Sequence, residues 1–406
     1  MSVRAWSFEL GDDRVTNPSP ALKELMEIVR QLAHSEENRR RKAFWVPEPG
    51  LARDHWRGRP QPPGQSHQQV PFTVEPELPM WARILGFDIK EFYTNPRVYL
   101  EATLRMAVYR FEHFRDCTVI GTEVPVWLGT VFESSLFGAK TLFAHDASPW
   151  IDREPVWKDY SRFLQADFPD FYRSGLMPVA HRFYAGIGEL LDEDFQVLFP
   201  EWGRSPFGTA WHLRGHDQLL ADLLQEPKFA HEMMRFLTEA RQQWVQERAA
   251  FLGQPVPKGN LYNDEVNVPT LSPALVEEFV VPYEAQLSRF HGGIAYWHSC
   301  GDTTLLLSQI RQVPDIEMFH VGPWTDVEAA ARAFGETACL EICLHPLRDV
   351  HEPDPGEREA RLRALGEAAS GTAFTVRADG LQVLTDLDDE LERVAQWIQA
   401  ARTVFF

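Results

Sequence analysis

The chain has 406 residues, 44% of them hydrophobic and 12% aromatic, which is enough to bury a substantial core and excludes wholesale disorder. Its formal net charge of -19 excludes the broad basic face that nucleic acids require. Cys117, Cys300, Cys339 and Cys343 are too few to staple a chain of this size, no apolar run reaches the length of a membrane span, and no signal-peptide pattern opens the sequence. A reducing, cytoplasmic setting with free or metal-bound thiols is therefore expected.

Residues 20–43 carry an amphipathic helical pattern in which Leu22, Leu25, Met26, Ile28, Val29 and Leu32 precede a charged end. The basic run Arg39-Arg40-Arg41-Lys42 follows Glu36 and Glu37 and reads as a solvated helix end rather than a nucleic-acid patch. Residues 47–79, rich in Pro, Gly and Gln and including Pro60-Gln61-Pro62-Pro63-Gly64, read as a long irregular arm. The sequence leaves open whether that arm covers an active site or a partner subunit of a homo-oligomer. Helical character resumes at Asn95-Pro96, an N-cap followed by Pro at N1, with Leu100, Leu104, Ala107, Val108, Phe111 and Phe114 in period.

From Cys117 onward, short apolar stretches alternate with amphipathic helices. Strands are expected at 117–120 with 124–128, and at 141–144, 196–199, 260–265, 294–298, 316–321, 338–344 and 373–377. Helices are expected at 217–225, 227–251, 272–290, 303–312, 326–334, 357–369 and 386–402, with Ser272-Pro273 opening one of them. This alternation predicts an α/β chain: a (β/α)8 TIM-type barrel over residues 116–406, preceded over 1–115 by an N-terminal helical and Pro-rich extension. A doubly wound sheet is the alternative, but no Gly-rich dinucleotide fingerprint follows the first strand and no phosphate-binding loop motif is present.

The stretch from Ala295 to Thr304 delivers a His and a Cys two residues apart and then breaks at Gly301. Residues i and i+2 of a strand share a face, so His298 and Cys300 project together from a strand end. Imidazole nitrogen with thiolate sulfur is a donor pair that zinc prefers; the competing reading is a hydrogen-bonded His beside an inert thiol. In a parallel barrel the outward faces meet helices, so polar residues that alternate with apolar ones point inward. That rule puts Cys339, Glu341, Cys343 and His345 on one inner face, and Thr375, Arg377 and Asp379 on another. Asn263-Asp264-Glu265 adds carboxylates to the same C-terminal rim, where barrel active sites are built.

Asp264, Glu265 and Arg377 are thus the candidate catalytic residues. Cys343 and Asp379 are candidates for a third metal ligand, with Asp264 and Glu265 as competitors. Arg377 either clamps a substrate carboxylate or pairs with Asp379. A single β-bulge would reverse the parity on which these assignments rest. Cys117 and Cys339 read as small buried hydrophobes. Trp127, Trp202, Tyr262, Trp297 and Trp324 either line a pocket or belong to ordinary barrel packing.

Tyr296-Trp297-His298-Ser299-Cys300-Gly301-Asp302-Thr303-Thr304 resembles the "HSCG" strand of the uroporphyrinogen decarboxylase superfamily. Asn263-Asp264-Glu265, Leu271-Ser272-Pro273 and the run from Phe279 to Tyr283 keep the order and spacing of that superfamily. Similar too are Leu213-Arg214-Gly215, the run from Leu219 to Leu223, Glu226-Pro227, and Leu136-Phe137-Gly138-Ala139; the resemblance spans residues 120–400. A His-x-Cys pair marks its corrinoid-dependent methyltransferase branch, where it supplies zinc ligands, and the Arg-Gln-Ala-Gly-Arg substrate motif of the decarboxylase is not found here.

The resemblance implies a zinc (Zn2+) enzyme moving a methyl group between a small methylated compound, or a thiol or folate acceptor, and a corrinoid. The corrinoid would be carried by a partner protein, because no cobalamin-binding domain is visible in the chain. The family's third ligand is a Cys in a Gly-Cys context after the last strand, whereas this chain reads Arg377-Ala378-Asp379-Gly380-Leu381. Either Asp379 or Cys343 replaces it, or the site is repurposed. Two alternatives stand beside this reading. One is a metal-independent decarboxylase or lyase using Asp264 and Arg377; the other is a non-enzymatic protein that binds a corrinoid or tetrapyrrole.

Overall fold

The structure, a computed structural model, describes residues 18–46, 59–60, 69–352 and 354–406. Most of the arm expected at 47–79, including Gln61-Pro62-Pro63-Gly64, lies outside the described residues. Among those described, the barrel strands are β1 Phe72–Pro76, β2 Glu123–Pro125, β3 Gln196–Leu198, β4 Gly259–Tyr262, β5 Ile294–His298, β6 Met318–Val321, β7 Cys339–Leu344 and β8 Phe374–Leu381.

Six of these strands form one parallel sheet in the order β1-β8-β7-β6-β5-β4, and β2 pairs in parallel with β3. Backbone hydrogen bonds from the segments before β2 and after β3 bridge to the six-stranded sheet. The Cys117 N–H donates to Phe72 O (2.9 Å) on one side. On the other, the Tyr262 N–H donates to Gly203 O (2.9 Å) and the Ser205 N–H donates to Tyr262 O (3.1 Å). The strands thus follow one another around a ring with helices outside, and the (β/α)8 TIM-type barrel expected from the sequence is the fold.

Two strand expectations are corrected. β1 lies inside the stretch read as irregular, on the N-terminal side of the expected division at 115/116, yet it pairs with β8 through Val376↔Phe72 and Ala378↔Val74. Its five residues follow Pro71 and end on Pro76, and proline, having no N–H for the ladder, masks a strand in the sequence. Thr141–Leu142 instead pairs antiparallel with Trp150–Ile151, forming a hairpin between β2 and β3.

Three helix expectations are refined. The 20–43 pattern is two helices, Pro20–Ala33 and Glu36–Lys42, because Ser35 caps the second by accepting from the Asn38 N–H. The 272–290 pattern divides into Pro273–Phe279 and Val281–His291 at Val280, next to Pro282, which has no N–H to continue the ladder. The 303–312 pattern is a 3-10 turn at Thr304–Leu306 followed by Leu307–Ile310. Asn95 and Ser272 cap as expected, accepting from the N–H groups of Arg97 (3.0 Å) and Leu275 (3.3 Å).

Arg41 departs from the solvated helix end expected of its basic run. It is buried, donating to Phe111 O (3.1 Å) and Thr118 O (3.3 Å), with its guanidinium 3.9 Å over the Phe111 ring.

The main core lies between the ring and its outer helices, where Leu340, Ile342, Val376 and Phe319 meet Ala330, Phe334, Val394 and Trp397. A second core joins Leu22, Met26 and Val29 of the first helix to Leu100 and Leu104 of Pro96–Tyr109 and to Val124 of β2. No described helix is long and apolar enough to cross a membrane.

Candidate functional site

Strand alternation builds the site. In β5, Trp297 points outward, stacking on Phe319 at 5.2 Å and donating its Nε1–H to Glu284 Oε2 (2.8 Å). Tyr296 and His298 consequently face the interior. The strand ends at His298, and the chain bends through Ser299, whose hydroxyl donates to Val266 O (3.1 Å), before Cys300. His298 Nε2 and Cys300 Sγ lie 3.1 Å apart, so the pair expected from the sequence is brought together by this bend.

Two glycines are required by close approach rather than by φ. A Cβ on Gly301 would fall 2.3 Å from the Asn267 side chain, and one on Gly322 would fall 2.8 Å from Ser299 O and 2.9 Å from Cys300 O. Gly322 follows β6 directly and lets the end of that strand press against the backbone between His298 and Cys300. β6 brings in His320, whose ring centroid is 4.0 Å from that of His298. Single ligand atoms of His298, Cys300 and His320 all lie within 4.8 Å of one another.

Sequence reading missed His320. The run Met318-Phe319-His320-Val321 looks like plain apolar strand, but its alternation turns Met318 and His320 inward and gives Phe319 and Val321 to the outer core.

Other predicted residues distribute around this cluster. Asp264 Oδ1 is 3.1 Å from His298 Nε2. Glu265 points away from the cluster to Arg204 Nη1 (2.5 Å), whose other terminal nitrogen is 3.7 Å from Asp264 Oδ2. Arg377 meets Asp379 Oδ1 through Nε (3.0 Å), Glu341 Oε2 (3.6 Å) and Glu75 Oε2 (3.8 Å). Of the two sequence readings of Arg377, pairing with Asp379 is the one present. Asp379 sits where the β8 register shifts between Ala378 and Leu381, the kind of irregularity that upsets a parity argument. Cys343 is buried and converges with His320 and Glu341 in a second group rather than with Cys300.

Arg204 and Tyr296 also went unread in the sequence. Arg204 is a buried cation between two carboxylates, and Tyr296 donates its hydroxyl proton to Glu341 while standing 3.3 Å from His298 Nδ1.

The electrostatics follow from this arrangement. Burial would raise the Asp264 carboxyl, but the hydrogen bond and charge of His298, with Arg204 and His320, hold it well below the usual carboxylate range. Burial raises Glu265 against the opposing charge of Arg204. Burial alone would lower Arg204, yet Glu265, Asp264 and Glu133 raise it. Cys300 is an exposed residue that also lines the cavity, and desolvation followed by the Asp264 and Asp379 charges pushes its thiol far up. Burial, then the charges of His298 and Arg377, keeps His320 well below the ordinary histidine range and hence neutral.

These residues open into a cavity of about 530 Å³. Trp127, Trp150 and Tyr262 contribute aromatic walls, and Arg110, Arg204 and Arg377 line it together with Glu75, Asp264 and Asp379. Of the aromatic residues singled out in the sequence, Trp127 and Tyr262 line the cavity, whereas Trp202 and Trp297 are core residues.

The donor set fits a metal. The Tyr296 proton goes to Glu341, so its oxygen is placed to accept from His298 Nδ1–H, while His298 Nε2 faces Cys300 Sγ and Asp264 Oδ1 at 3.1 Å each. His320 Nδ1 donates to Ser299 O (2.8 Å), and among the described residues its buried Nε2 has no hydrogen-bond partner. Both imidazoles are thus oriented from behind, as metal-bound histidines are.

A family model described as uroporphyrinogen decarboxylase (URO-D) matches residues 80–341. No curated protein matches the chain by sequence. Among solved structures, a methyltransferase from Methanosarcina mazei superposes with a TM-score of 0.61 at 15% identity, over 84% of this chain and 96% of that one. At that identity the likeness establishes a shared fold. The family match spans well over half of the sequence, including β2 to β6 and the His298 and Cys300 pair, and the chain belongs to the uroporphyrinogen decarboxylase family.

Proposed function

We propose that this chain is a zinc-dependent methyltransferase, moving a methyl group between a small methylated compound, or a thiol or folate acceptor, and a corrinoid carried by a separate protein. The observation that carries the reading is the convergence of His298 Nε2 and Cys300 Sγ at 3.1 Å on the wall of a 530 Å³ cavity. His298 and Cys300 would hold the metal. When bound, zinc supplies Lewis acidity toward a thiol or an oxygen-linked methyl donor.

The chain's own residues set the conditions for that chemistry. Tyr296, itself held by Glu341, orients the His298 ring, and Arg377 adds positive charge beside the same Glu341 carboxylate. Asp264, held ionised, is placed to accept a proton from a group beside His298, and Trp127, Trp150 and Tyr262 present apolar surface to the body of a substrate.

The metal-independent decarboxylase remains the second reading, because Arg110, Arg204 and Arg377 line the cavity and would receive a carboxylated substrate. Against it, each of these arginines already meets a carboxylate: Glu75 for Arg110, Glu265 for Arg204, and Asp379 for Arg377.

Zinc analysis of the purified chain, run beside a methyl-transfer screen with methylcobalamin and candidate thiols, folates and aryl methyl ethers, separates the two. The expected result is stoichiometric zinc, lost in His298→Ala and in Cys300→Ser together with transfer. Metal content that survives both substitutions would overturn the methyltransferase reading, and decarboxylation by metal-free protein would establish the other.

A further inference from the structure

Resting on that reading, we propose that the third protein ligand of the metal is His320. The site would then be built from two imidazoles and one thiolate supplied entirely by β5, the bend after it, and β6. The sequence offers Asp379 and Cys343 for this place, but Asp379 is engaged by Arg377 at 3.0 Å and Cys343 groups with Glu341 and His320 rather than with His298 and Cys300.

Three independent observations single out His320. The first is proximity: its ligand atom lies within 4.8 Å of those of both His298 and Cys300. Zinc bonds of about 2.0–2.3 Å place tetrahedral donors roughly 3.3–3.6 Å apart, so a small adjustment of the three side chains suffices. The second is an unmet acceptor. His320 is fully buried, its Nδ1–H is spent on Ser299 O, and among the described residues its Nε2 has no hydrogen-bond partner. The third is mechanical. Ser299 lies between His298 and Cys300 in the chain, so the carbonyl that fixes the His320 ring belongs to the same turn that presents the other two donors. Gly322 keeps that turn in contact with β6, since a Cβ there would strike Ser299 O and Cys300 O.

The test compares the zinc-loaded wild-type chain with His320→Ala, Cys343→Ser and Asp379→Asn. Zinc affinity is read by chelator competition, the ligand field by the absorption spectrum of the cobalt-substituted protein, and folding by circular dichroism. His320→Ala should lower zinc affinity by more than about 100-fold and alter the cobalt spectrum, while Cys343→Ser leaves both unchanged and Asp379→Asn leaves the cobalt spectrum unchanged. X-ray absorption of the wild-type zinc protein gives a readout independent of mutant folding. Two imidazoles and one sulfur are expected, whereas one imidazole with two sulfurs, or unchanged zinc affinity in folded His320→Ala, would overturn the assignment of His320. A wild-type chain that takes up no zinc would overturn both this assignment and the methyltransferase reading, so the two failures are distinguishable.

Discussion

Tyr296 and Glu284 show how single side chains tie the strand carrying the site to its surroundings. Tyr296 has one proton and gives it to Glu341, so it orients His298 as an acceptor and binds no metal itself. Tyr296→Phe keeps the ring and removes that acceptor, and zinc affinity should fall about 10–100-fold, measured by chelator competition, with the circular dichroism spectrum unchanged.

Glu284 lies on the opposite side of β5, buried against the helices, where it accepts from Trp297 Nε1. Burial raises its carboxyl from 4.5 to about 7, against the opposing hydrogen bonds of Trp297 and Asn263 and the charge of Arg241. The folded chain therefore keeps a proton that the unfolded chain has released. Its stabilising contribution is present below pH 4.5, declines as pH rises from 4.5 to about 7, and is flat above that. The decline amounts to about 3 kcal/mol. Glu284→Gln should flatten this part of the profile in urea unfolding measured across the range, and an unchanged slope would contradict the assignment.

Among the elements, β1 has the largest consequence for its length. It lies in the ring between β8 and the segment at Cys117, and Phe72 packs edge-on against Trp397 (5.7 Å) and Phe406 (5.9 Å) from the C-terminal helix Leu387–Phe405 and the residue after it. Phe72→Ala should cost about 3–5 kcal/mol in denaturant unfolding, the usual loss for a large buried aromatic residue. A cost near zero would mean that β1 is not integral to the barrel.

The helix Pro206–Arg214 is a second case. Ser205 accepts from the Gly208 N–H (3.1 Å) and starts the helix immediately after Arg204, the cation between Asp264 and Glu265. Ser205→Ala should destabilise by about 1 kcal/mol. Equilibrium unfolding provides the check.

For the whole molecule, the cores that hold the fold are separate from the group that would hold the metal. The main core occupies the space between ring and helices, and the second core fuses the N-terminal helix to the β2 side, whereas His298, Cys300 and His320 face the interior of the ring. The barrel is therefore expected to stay folded without metal, unlike small domains that fold only around zinc. Chelator treatment should leave the far-ultraviolet spectrum unchanged and lower the melting temperature. Zinc at 100 times its dissociation constant should stabilise by about 2.7 kcal/mol, read as a concentration-dependent rise in melting temperature.

Local pattern alone determined much of this protein. Strand and helix alternation predicted the barrel, capping residues at Asn95 and Ser272 marked helix starts, and two-residue spacing pointed to the His298 and Cys300 pair, although a bend after the strand rather than strand parity brings it together. Each of these depends on neighbours in sequence, whose geometry is set by backbone periodicity.

The tertiary structure decided what no spacing encodes. A five-residue β1 that follows one proline and ends on another becomes a strand because β8 offers it a ladder. Asp379 is taken by Arg377 at a register shift, and a histidine inside an apolar strand, ordinary in sequence, meets His298 of the neighbouring strand. Which inward side chains converge depends on the stagger and close approach of adjacent strands, and in this chain Gly322 and the Ser299 carbonyl fix that approach.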